Sequence, residues 1–324
     1  MSTLSLEDPS TLYLTLQGAY LRMRDSRIEV HQDEELVGKV LMKDLQRICI
    51  FGQILISNQL MTECLDRGII IFHFTKYGRY RGSTYGNEVK SYHVQEAQLK
   101  FQNPLPLVRE LINAQITSRL SILSKKLSER FTELRELQNK VREASSISSL
   151  RGYEGMASKI YWSTFPKLLS EPSLFNGRTR RPPRDEANAI LSFTYTLLGT
   201  ELETHIRYYG LNPYKGYLHE YRYGRKSLQL DILEQFRPAA EIMTLSLLNR
   251  KIMNDKHFER EAVSVLLNDK GRKIFLREYE NFLRRKFKTE SGTMSLRNIA
   301  QIQVQKLVST ITEGKDYSGF TILK

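Results

Sequence analysis

Residues 104–123 read PLPLVRELINAQITSRLSIL, and within this stretch the spacing of apolar residues changes from that of strands to that of a helix. After two prolines, apolar side chains recur three or four positions apart, which is the period of one face of an α-helix. The same spacing continues to about Arg142 and predicts one long amphipathic helix over residues 107–142. We therefore place a domain boundary just before it, near residues 90–105.

The first 90 residues show the alternation of apolar and polar side chains that is typical of β-strands. The alternation occurs on both sides of Gln17 and Gly18, which predicts a β-hairpin that turns at this pair. Further along, the pattern predicts a helix that begins after Ser57 and ends at Gly68, a buried strand over residues 69–74 and a loop over residues 78–86.

Beyond residue 142 the helical spacing returns in several segments. We predict helices over residues 150–165, from the N-cap Asp185 to about residue 209, over residues 228–248, and two or three more between residues 255 and 311. The predicted fold class is α+β. It consists of a small β-rich N-terminal domain over residues 1–95, a linker over 96–105 and a larger all-α-helical C-terminal domain over 106–324.

The two predicted domains differ in charge. The chain carries a net charge of +13, yet residues 1–100 contain 12 basic and 12 acidic side chains, so the whole excess lies in the helical part. A strongly basic domain indicates a polyanionic partner, of which nucleic acid is the common case. The alternative is a charge that only keeps the protein soluble. The composition excludes an acidic solvating chain, a collagen-like repeat and a disordered tail.

The cysteines, the N-terminus and the longest apolar stretch indicate a cytoplasmic protein with no membrane partner. Cys49 and Cys64 do not form a C-x-x-C pair, so no disulfide framework is expected and a reducing compartment is indicated. The N-terminus has neither the basic start nor the long apolar run of a secretory signal. The most apolar stretch, residues 69–74, is far shorter than the ~20 residues that a membrane-spanning helix needs.

One candidate acidic residue lies between glycines near the start of a predicted helix. Glu154 has open space around it and shares a helical face with Ala157, Ser158 and Tyr161. The alternative interpretation is a carboxylate that only complements the helix dipole.

A histidine and two further acids form the second group of candidates. His219 lies on or beside a loop, and Tyr223 stands where an H-E-x-x-H zinc motif would need its second histidine. Asp231 and Glu234, three residues apart, share a face of a helix apolar enough to be buried, so they need counter-charges or a metal. Oxygen ligands with one imidazole suit Mg²⁺ or Mn²⁺. The alternatives are a surface or capping histidine and acids paired with Arg237 or another arginine.

Basic residues surround these candidates. Four arginines crowd one proline-rich loop, namely Arg178, Arg180, Arg181 and Arg184. Arginine forks suit phosphate, so we expect contacts to a nucleic-acid backbone, with a solvated loop as the alternative. Tyrosines alternate with cations, Arg225 among them, between residues 207 and 225. They either stack on splayed bases or pack within the protein.

Three segments resemble the CRISPR-associated adaptation integrase, the larger of the two core spacer-acquisition proteins (the Cas-one family). They are Glu154-Gly-x-Ala-x-x-x-Tyr-Trp162, then Asn176-Gly-Arg-x-Arg-Arg-Pro-Pro-x-Asp185 followed by Asn188, and finally Gly216-Tyr-Leu-His219 with Arg225, Ser227-Leu-x-Leu-Asp231 and Glu234-x-Phe-Arg-Pro238. The resemblance covers essentially the whole chain, and the three segments in this order are highly specific.

The resemblance implies a catalytic helical domain with Mg²⁺ or Mn²⁺ held by Glu154, His219 and Glu234, and with Asp231 beside the ion. Many relatives carry Asp where this chain has Glu234, and the longer side chain still supplies an oxygen. All four residues are expected to be catalytic. The implied activity is a DNA endonuclease and integrase that joins the 3′-hydroxyl ends of short foreign DNA fragments into the CRISPR repeat by transesterification, without ATP.

The resemblance also implies partners. The protein is expected to be a homodimer, and two dimers flank one dimer of a small partner protein. The expected DNA partners are double-stranded fragments and the CRISPR leader-repeat, contacted by Arg178, Arg180, Arg181, Arg184 and Arg225. Two alternatives remain: a structure-selective DNA nuclease in repair, and a non-enzymatic basic helical nucleic-acid-binding protein whose acids are structural.

Overall fold

The computed structural model describes residues 10–86, 92–289 and 292–322, which form two compact units. The first unit contains the described residues up to 86 together with Leu267–Glu278. The second contains the described residues from 92 to 266 and those from Tyr279 onward.

The first unit is built on two four-stranded sheets. Its elements are β1 (Thr11–Leu14), β2 (Tyr20–Arg24), β3 (Arg27–Gln32), β4 (Glu35–Leu41), β5 (Arg47–Phe51), β6 (Leu55–Ile56), α1 (Asn58–Asp66), β7 (Ile70–Phe74) and β8 (Tyr80–Thr84). One sheet has the order β1-β5-β7-β8 and the other β4-β3-β2-β6. A single apolar core joins side chains of both sheets to Leu60 and Cys64 of α1.

The predicted hairpin at Gln17 and Gly18 is wrong. β1 pairs in parallel with β5, whereas β2 pairs antiparallel with β3, so the intervening residues carry the chain from one sheet to the other. Gln17 fixes this crossing, because its Nε2 donates to Phe51 O at 2.7 Å and its Oε1 accepts from Gln53 N at 3.1 Å. Alternation identifies strands, but it does not identify their partners.

Two other local predictions for this unit have different outcomes. Ser57 caps α1 by accepting a hydrogen bond from Leu60 N at 3.2 Å, and β7 is the predicted buried strand. The predicted loop over residues 78–86 instead contains β8, which pairs antiparallel with β7 at the edge of its sheet. A strand at the edge of a sheet can remain partly exposed, so its sequence need not show the apolar pattern that predicts a buried strand.

The second unit is mainly helical. Its elements are α2 (Tyr92–Lys100), α3 (Leu105–Lys126), α4 (Thr132–Glu143), α5 (Ile147–Thr164), α6 (Glu186–Tyr208), α7 (Ser227–Asn249), β9 (Phe258–Arg260), β10 (Val265–Leu267), α8 (Asp269–Arg284), β11 (Lys286–Thr289), β12 (Gly292–Ser295) and α9 (Leu296–Glu313). The predicted class, a β-rich N-terminal part and a mainly helical C-terminal part, is confirmed. The C-terminal part is not all-helical as predicted, because it also contains the two-stranded sheets β9-β10 and β11-β12. α2 occupies half of the segment 96–105 that the sequence predicts as a linker, and the larger part of α8, up to Glu278, belongs to the first unit.

The long helix predicted over residues 107–142 is two helices. Leu127 is extended and Phe131 has a left-handed backbone with φ of 48°, which ends α3 and reverses the chain before α4. The reversal lets the apolar stripe of α4 pack against α3, and Gln138 Nε2 donates to Thr117 Oγ1 across the contact at 2.6 Å. One continuous helix would have left that stripe exposed.

Helix α7 lies at the centre of the second unit and packs against α3 and α6. Most of its side chains are buried, Asp231, Glu234 and Glu241 among them. α5 also packs against α3. Within the described ranges, no helix is long and apolar enough to cross a membrane.

Candidate functional site

The candidate residues come together around α7 in the second unit. α7 carries Asp231 and Glu234, the loop before it carries His219, α3 carries Gln115, and α5 carries Glu154. Two networks of hydrogen bonds and ion pairs connect these elements. One runs through Asp231 and the other through a buried arginine of α3.

Asp231 organises the loop that holds His219. Its Oδ2 accepts from Tyr217 N at 2.5 Å and Leu218 N at 3.0 Å, and its Oδ1 accepts from His219 N at 2.9 Å. Oδ1 also lies 2.7 Å from His219 Nδ1. Because a carboxylate accepts, Nδ1 is assigned as the donor of this bond, and in the neutral imidazole Nε2 then carries the lone pair. Both oxygens of Asp231 are therefore engaged in positioning rather than directed into the site.

The same loop explains the glycine of its motif. A Cβ at Gly216 would lie 2.7 Å from Asp231 Oδ2 and equally close to two atoms of Ser227. Contacts this short do not occur between ordinary side chains, so the backbone can approach the carboxylate only if residue 216 is glycine. The spacing Gly216-x-x-His219 therefore follows from the packing against α7.

Glu234 faces His219 with one oxygen and is held by the other. Its Oε2 accepts from Gln115 Nε2 at 2.5 Å and from Arg237 Nε at 2.7 Å, while its Oε1 lies 3.7 Å from His219 Nε2. Burial alone would raise the pKa of Glu234, but the charge and hydrogen bond of Arg237 lower it below the ordinary value, so the group stays ionised. The pairing with Arg237 that the sequence left open is present in the structure.

Glu154 lies two turns inside α5. The first turn of this helix contains no acidic residue, so a carboxylate that only complements the helix dipole does not describe Glu154. Ser158 Oγ donates to Glu154 Oε1 at 2.7 Å, as expected for side chains on one helical face. Burial alone would lower the pKa of Arg237, but the charge of Glu234 and, less strongly, that of Glu154 raise it. The charge of Glu154 therefore acts on the same arginine that pairs with Glu234.

The donor set fits a hard divalent cation in part. An imidazole Nε2 with a free lone pair next to a carboxylate oxygen, and with its other nitrogen bound to an aspartate, is the usual arrangement of a metal-binding histidine. Oxygen and imidazole ligands suit Mg²⁺ or Mn²⁺. In the part of the chain that the structure describes, no three His, Cys, Asp or Glu side chains are arranged to hold a metal together. His219 and Glu234 thus form a close pair, and Glu154 on α5 is hydrogen-bonded to Ser158.

The predicted DNA-binding arginines divide into two kinds. Arg180, Arg181 and Arg184 are exposed. Arg178 turns inward, where it donates to Asn188 Oδ1 at 2.6 Å and lies over the rings of Trp162 and Tyr195. Burial lowers the pKa of Arg178 to about 10. The structure gives Arg178 packing contacts inside the protein, whereas its three neighbours are open to a partner.

The loop after α6 likewise contains both buried and exposed residues. Arg225 is half-buried, and burial lowers its pKa, with the neighbouring charge of Arg222 acting in the same direction. Tyr217 is buried and donates to Gln98 O at 3.0 Å. Tyr223 is 99% exposed and Tyr221 77% exposed. The tyrosine pattern therefore combines packing residues with exposed rings next to His219.

Several residues that support the site were not predicted. Gln115 on α3 donates to Glu234, and Arg119 on α3 forms a fully buried ion pair with Glu241 on α7. The available signal was the position of two charged residues, because Arg119 and Glu241 are each flanked by apolar residues of their helices. A buried charge needs a partner, yet the sequence does not show which one.

The chain combines a β-rich unit with a helical unit whose central helix carries buried acids, one of them bonded to a histidine. The family model of CRISPR associated protein Cas1 matches residues 12–281. The chain belongs to this family.

Named relatives agree with this assignment. The CRISPR-associated endonuclease Cas1 4 of Methanospirillum hungatei is 32% identical over 307 residues, which cover 94% of this chain and 87% of the relative. The solved structure of a Cas1 protein from Thermotoga maritima has a TM-score of 0.84 and 29% identity, with 96% of this chain and 99% of that chain covered.

Two more distant structures share the fold. A casposase bound to its integration product has a TM-score of 0.84 at 21% identity, covering 96% of this chain and 93% of that chain. A chain of a Cas6-RT-Cas1–Cas2 complex has a TM-score of 0.86 at 22% identity, and the match covers 100% of this chain and 37% of that chain.

Proposed function

We propose that this protein is a metal-dependent DNA endonuclease and integrase of CRISPR adaptation, which joins the 3′-hydroxyl ends of short foreign DNA fragments into the CRISPR repeat array by transesterification. Family membership supports the activity class. The single observation that carries the site is the His219 imidazole, fixed by Asp231 through Nδ1 and facing Glu234 Oε1 with Nε2. Water in place of the 3′-hydroxyl makes the same site an endonuclease, and neither reaction needs ATP.

Glu154, His219 and Glu234 would hold Mg²⁺ or Mn²⁺. The chemistry that a divalent ion supplies at such a site is polarisation of the phosphodiester and stabilisation of the charge that develops on it. Asp231 keeps the lone pair of His219 Nε2 directed into the site, and Arg237 with Gln115 keeps Glu234 ionised and in place. Buried and hydrogen-bonded donors of this kind need little reorganisation during the reaction.

The surroundings favour a DNA backbone as the substrate. Arg180, Arg181 and Arg184 are exposed on one loop of the unit that carries the site, and Arg225 lies six residues after His219. Exposed arginines bind phosphates through two parallel hydrogen bonds, without reading sequence. We assign Arg178 a supporting role within this group, since it orders the loop from inside.

We further propose that the protein forms a homodimer, and that two of these homodimers flank one dimer of a small partner protein of the Cas2 type. A chain of similar fold occurs in a Cas1–Cas2 complex, which supports the partner class. Cys49 and Cys64 are buried and neither forms a disulfide, which is consistent with a reducing compartment, and we place the protein in the cytoplasm.

The test is strand transfer. Short duplexes are incubated with a plasmid that carries a leader-repeat, Mg²⁺ or Mn²⁺ and the small partner protein, and half-site products are measured. We expect Glu154→Ala and His219→Ala to abolish these products and to leave salt-sensitive DNA binding intact. Half-site products from both variants would show that the site assignment is wrong.

One alternative has a specific observation in its favour. The ion pair between Glu234 and Arg237 neutralises a buried acid without any metal, as expected for a non-enzymatic DNA-binding protein with structural acids. That protein would give no half-site product and no cleavage with either metal, whatever partner is added. A nuclease that cleaves branched DNA but gives no half-site product would support the reading as a repair nuclease.

A further inference from the structure

A fully buried ion pair lies next to the candidate site without belonging to it. Arg119 on α3 donates from Nη2 to Glu241 Oε1 at 2.8 Å and from Nε to the same oxygen at 3.2 Å. The exposed fraction is 1% for the arginine side chain and 0% for the glutamate side chain. Replacing such a pair with apolar residues is often neutral for stability, so stability alone gives little reason for it.

The remaining nitrogen of Arg119 reaches toward the site. Its Nη1 donates to Ser158 Oγ at 2.9 Å, and Ser158 Oγ lies 2.7 Å from Glu154 Oε1. A guanidinium has no acceptor, so Ser158 must accept from Arg119 and its own hydrogen is free for Glu154. The direction of the whole chain is therefore fixed: Arg119 donates to Ser158, and Ser158 donates to Glu154.

The start of this chain is held firmly. The Arg119 guanidinium lies 4.6 Å from the ring centroid of Tyr161, and Tyr195 Oη donates to Glu241 Oε1 at 3.3 Å. These contacts hold the guanidinium in the orientation in which Nη1 faces Ser158. Glu154, at the other end of this series of hydrogen bonds, is held less firmly. It is half-exposed, and its one described hydrogen bond is the one donated by Ser158.

We propose that Ser158 is a positioning residue, oriented by the Arg119–Glu241 pair, which holds the Glu154 carboxylate ready to bind the metal. The inference rests on the proposed function, in which Glu154 supplies a metal ligand. A hydrogen bond donated to one oxygen fixes the carboxylate plane and leaves the second oxygen for the ion. Without it, a half-exposed glutamate divides its time among solvent-facing rotamers.

The test is Mn²⁺ binding, measured by the loss of free Mn²⁺ signal in electron paramagnetic resonance. We expect Ser158→Ala to weaken Mn²⁺ binding about tenfold, the usual effect of losing a hydrogen-bond partner of a ligand. Ser158→Thr, which keeps the hydroxyl, should restore binding. Ser163→Ala is the matched control, because Ser163 is an exposed serine of the same helix whose described hydrogen bond is to a backbone carbonyl.

A second pair of variants separates positioning from a general change in structure. In a Glu154→Ala background, Ser158→Ala should cause no further loss, because the residue through which it acts is gone. Strand transfer by Ser158→Ala should need about tenfold more Mn²⁺ and approach the wild-type rate at saturation.

The outcomes distinguish the role of Ser158 from the existence of the metal site. Wild-type Mn²⁺ affinity in Ser158→Ala, or the same loss in the Glu154→Ala background, overturns the positioning role alone. A wild-type protein that binds no Mn²⁺ overturns the proposed metal site, and the role of Ser158 with it.

Discussion

The Nδ1 atom of His219 lies 2.7 Å from Oδ1 of Asp231, and the same carboxylate accepts three backbone N–H groups of the loop that carries the histidine. One buried acid therefore fixes both the path of the loop and the orientation of the ring. The two acids that appear equivalent in the sequence have different roles, because Glu234 faces the site while Asp231 faces the loop.

Asp231→Asn should lower metal affinity and strand transfer by about 10–100-fold. An asparagine keeps one accepting oxygen, but its NH₂ group is a donor and would face backbone N–H groups, which are also donors. The contacts that fix the His219 ring and its tautomer would therefore be lost. Mn²⁺ binding and half-site formation measure the effect. Glu220→Gln is the control, since Glu220 belongs to the same loop but is 67% exposed. Equal activity of both variants would contradict the positioning role of Asp231.

Gly216→Ala should destabilise the second unit by about 1–3 kcal/mol, the cost of forcing an extra methyl group into a packed region. The new Cβ would meet Asp231 Oδ2 at 2.7 Å and must displace the loop or the carboxylate. Gly152→Ala is the matched control, because its Cβ would meet no atom within 4 Å and alanine favours a helix interior. Urea unfolding compares the two variants, and a Gly216→Ala protein as stable as wild type would show that the loop is not tightly packed.

The sequence predicts the second unit better than it predicts which elements meet. Apolar periodicity and caps locate α6 and α7 to within a residue or two, because helices are encoded locally. It does not locate the end of α3, since the left-handed Phe131 has no glycine signal. Strand pairing in the first unit depends on contacts such as Gln17 with Phe51, which are distant in sequence.

The candidate site follows the same division. Glu154, His219, Asp231 and Glu234 are visible because acids and a histidine stand beside glycines or in an apolar helix. Their roles are not visible, since the role of Asp231 depends on three amides and that of Glu154 on a serine bound to a buried arginine. Arg178 shows the opposite error, because a loop rich in arginine does not reveal which guanidinium points inward.

Phe320→Ala should destabilise the second unit by about 3–5 kcal/mol, the usual cost of removing a buried aromatic ring. Phe320 is 3% exposed and packs against Phe236 of α7, and its backbone N–H donates to Gln235 Oε1 at 2.6 Å. Because Gln235 is next to Glu234, we also expect weaker Mn²⁺ binding. Val263→Ala, at a residue that is 67% exposed, is the control in thermal unfolding. An unchanged melting temperature for Phe320→Ala would show that this C-terminal segment does not support α7.

Stability should fall in acid through Glu29 of the first unit. Hydrogen bonds from His31, Lys39 and Arg22 lower the pKa of Glu29 from 4.5 to about 2. A lowered folded-state pKa gives stability that is complete above 4.5 and is lost as the pH falls toward 2. Glu29→Gln should therefore be less stable than wild type at pH 7, and the difference should shrink between pH 4.5 and pH 2. Urea unfolding measures this, with the exposed Glu35→Gln as control. A difference independent of pH would contradict the ion-pair explanation.

The arginine loop gives a prediction that separates binding from folding. Arg181→Ala with Arg184→Ala should reduce the slope of log affinity against log salt by about 2, since each lost phosphate contact removes about 0.9 for duplex DNA. Both side chains are exposed, so the melting temperature should change little. Arg178→Ala should do the reverse, because its guanidinium is bound to Asn188 and lies over Trp162 inside the protein. Its first effect is a lower melting temperature, with a salt slope close to wild type in the protein that remains folded. Fluorescence anisotropy of a labelled duplex at several salt concentrations measures the slopes. An unchanged slope in the double variant would place the DNA on another face of the unit.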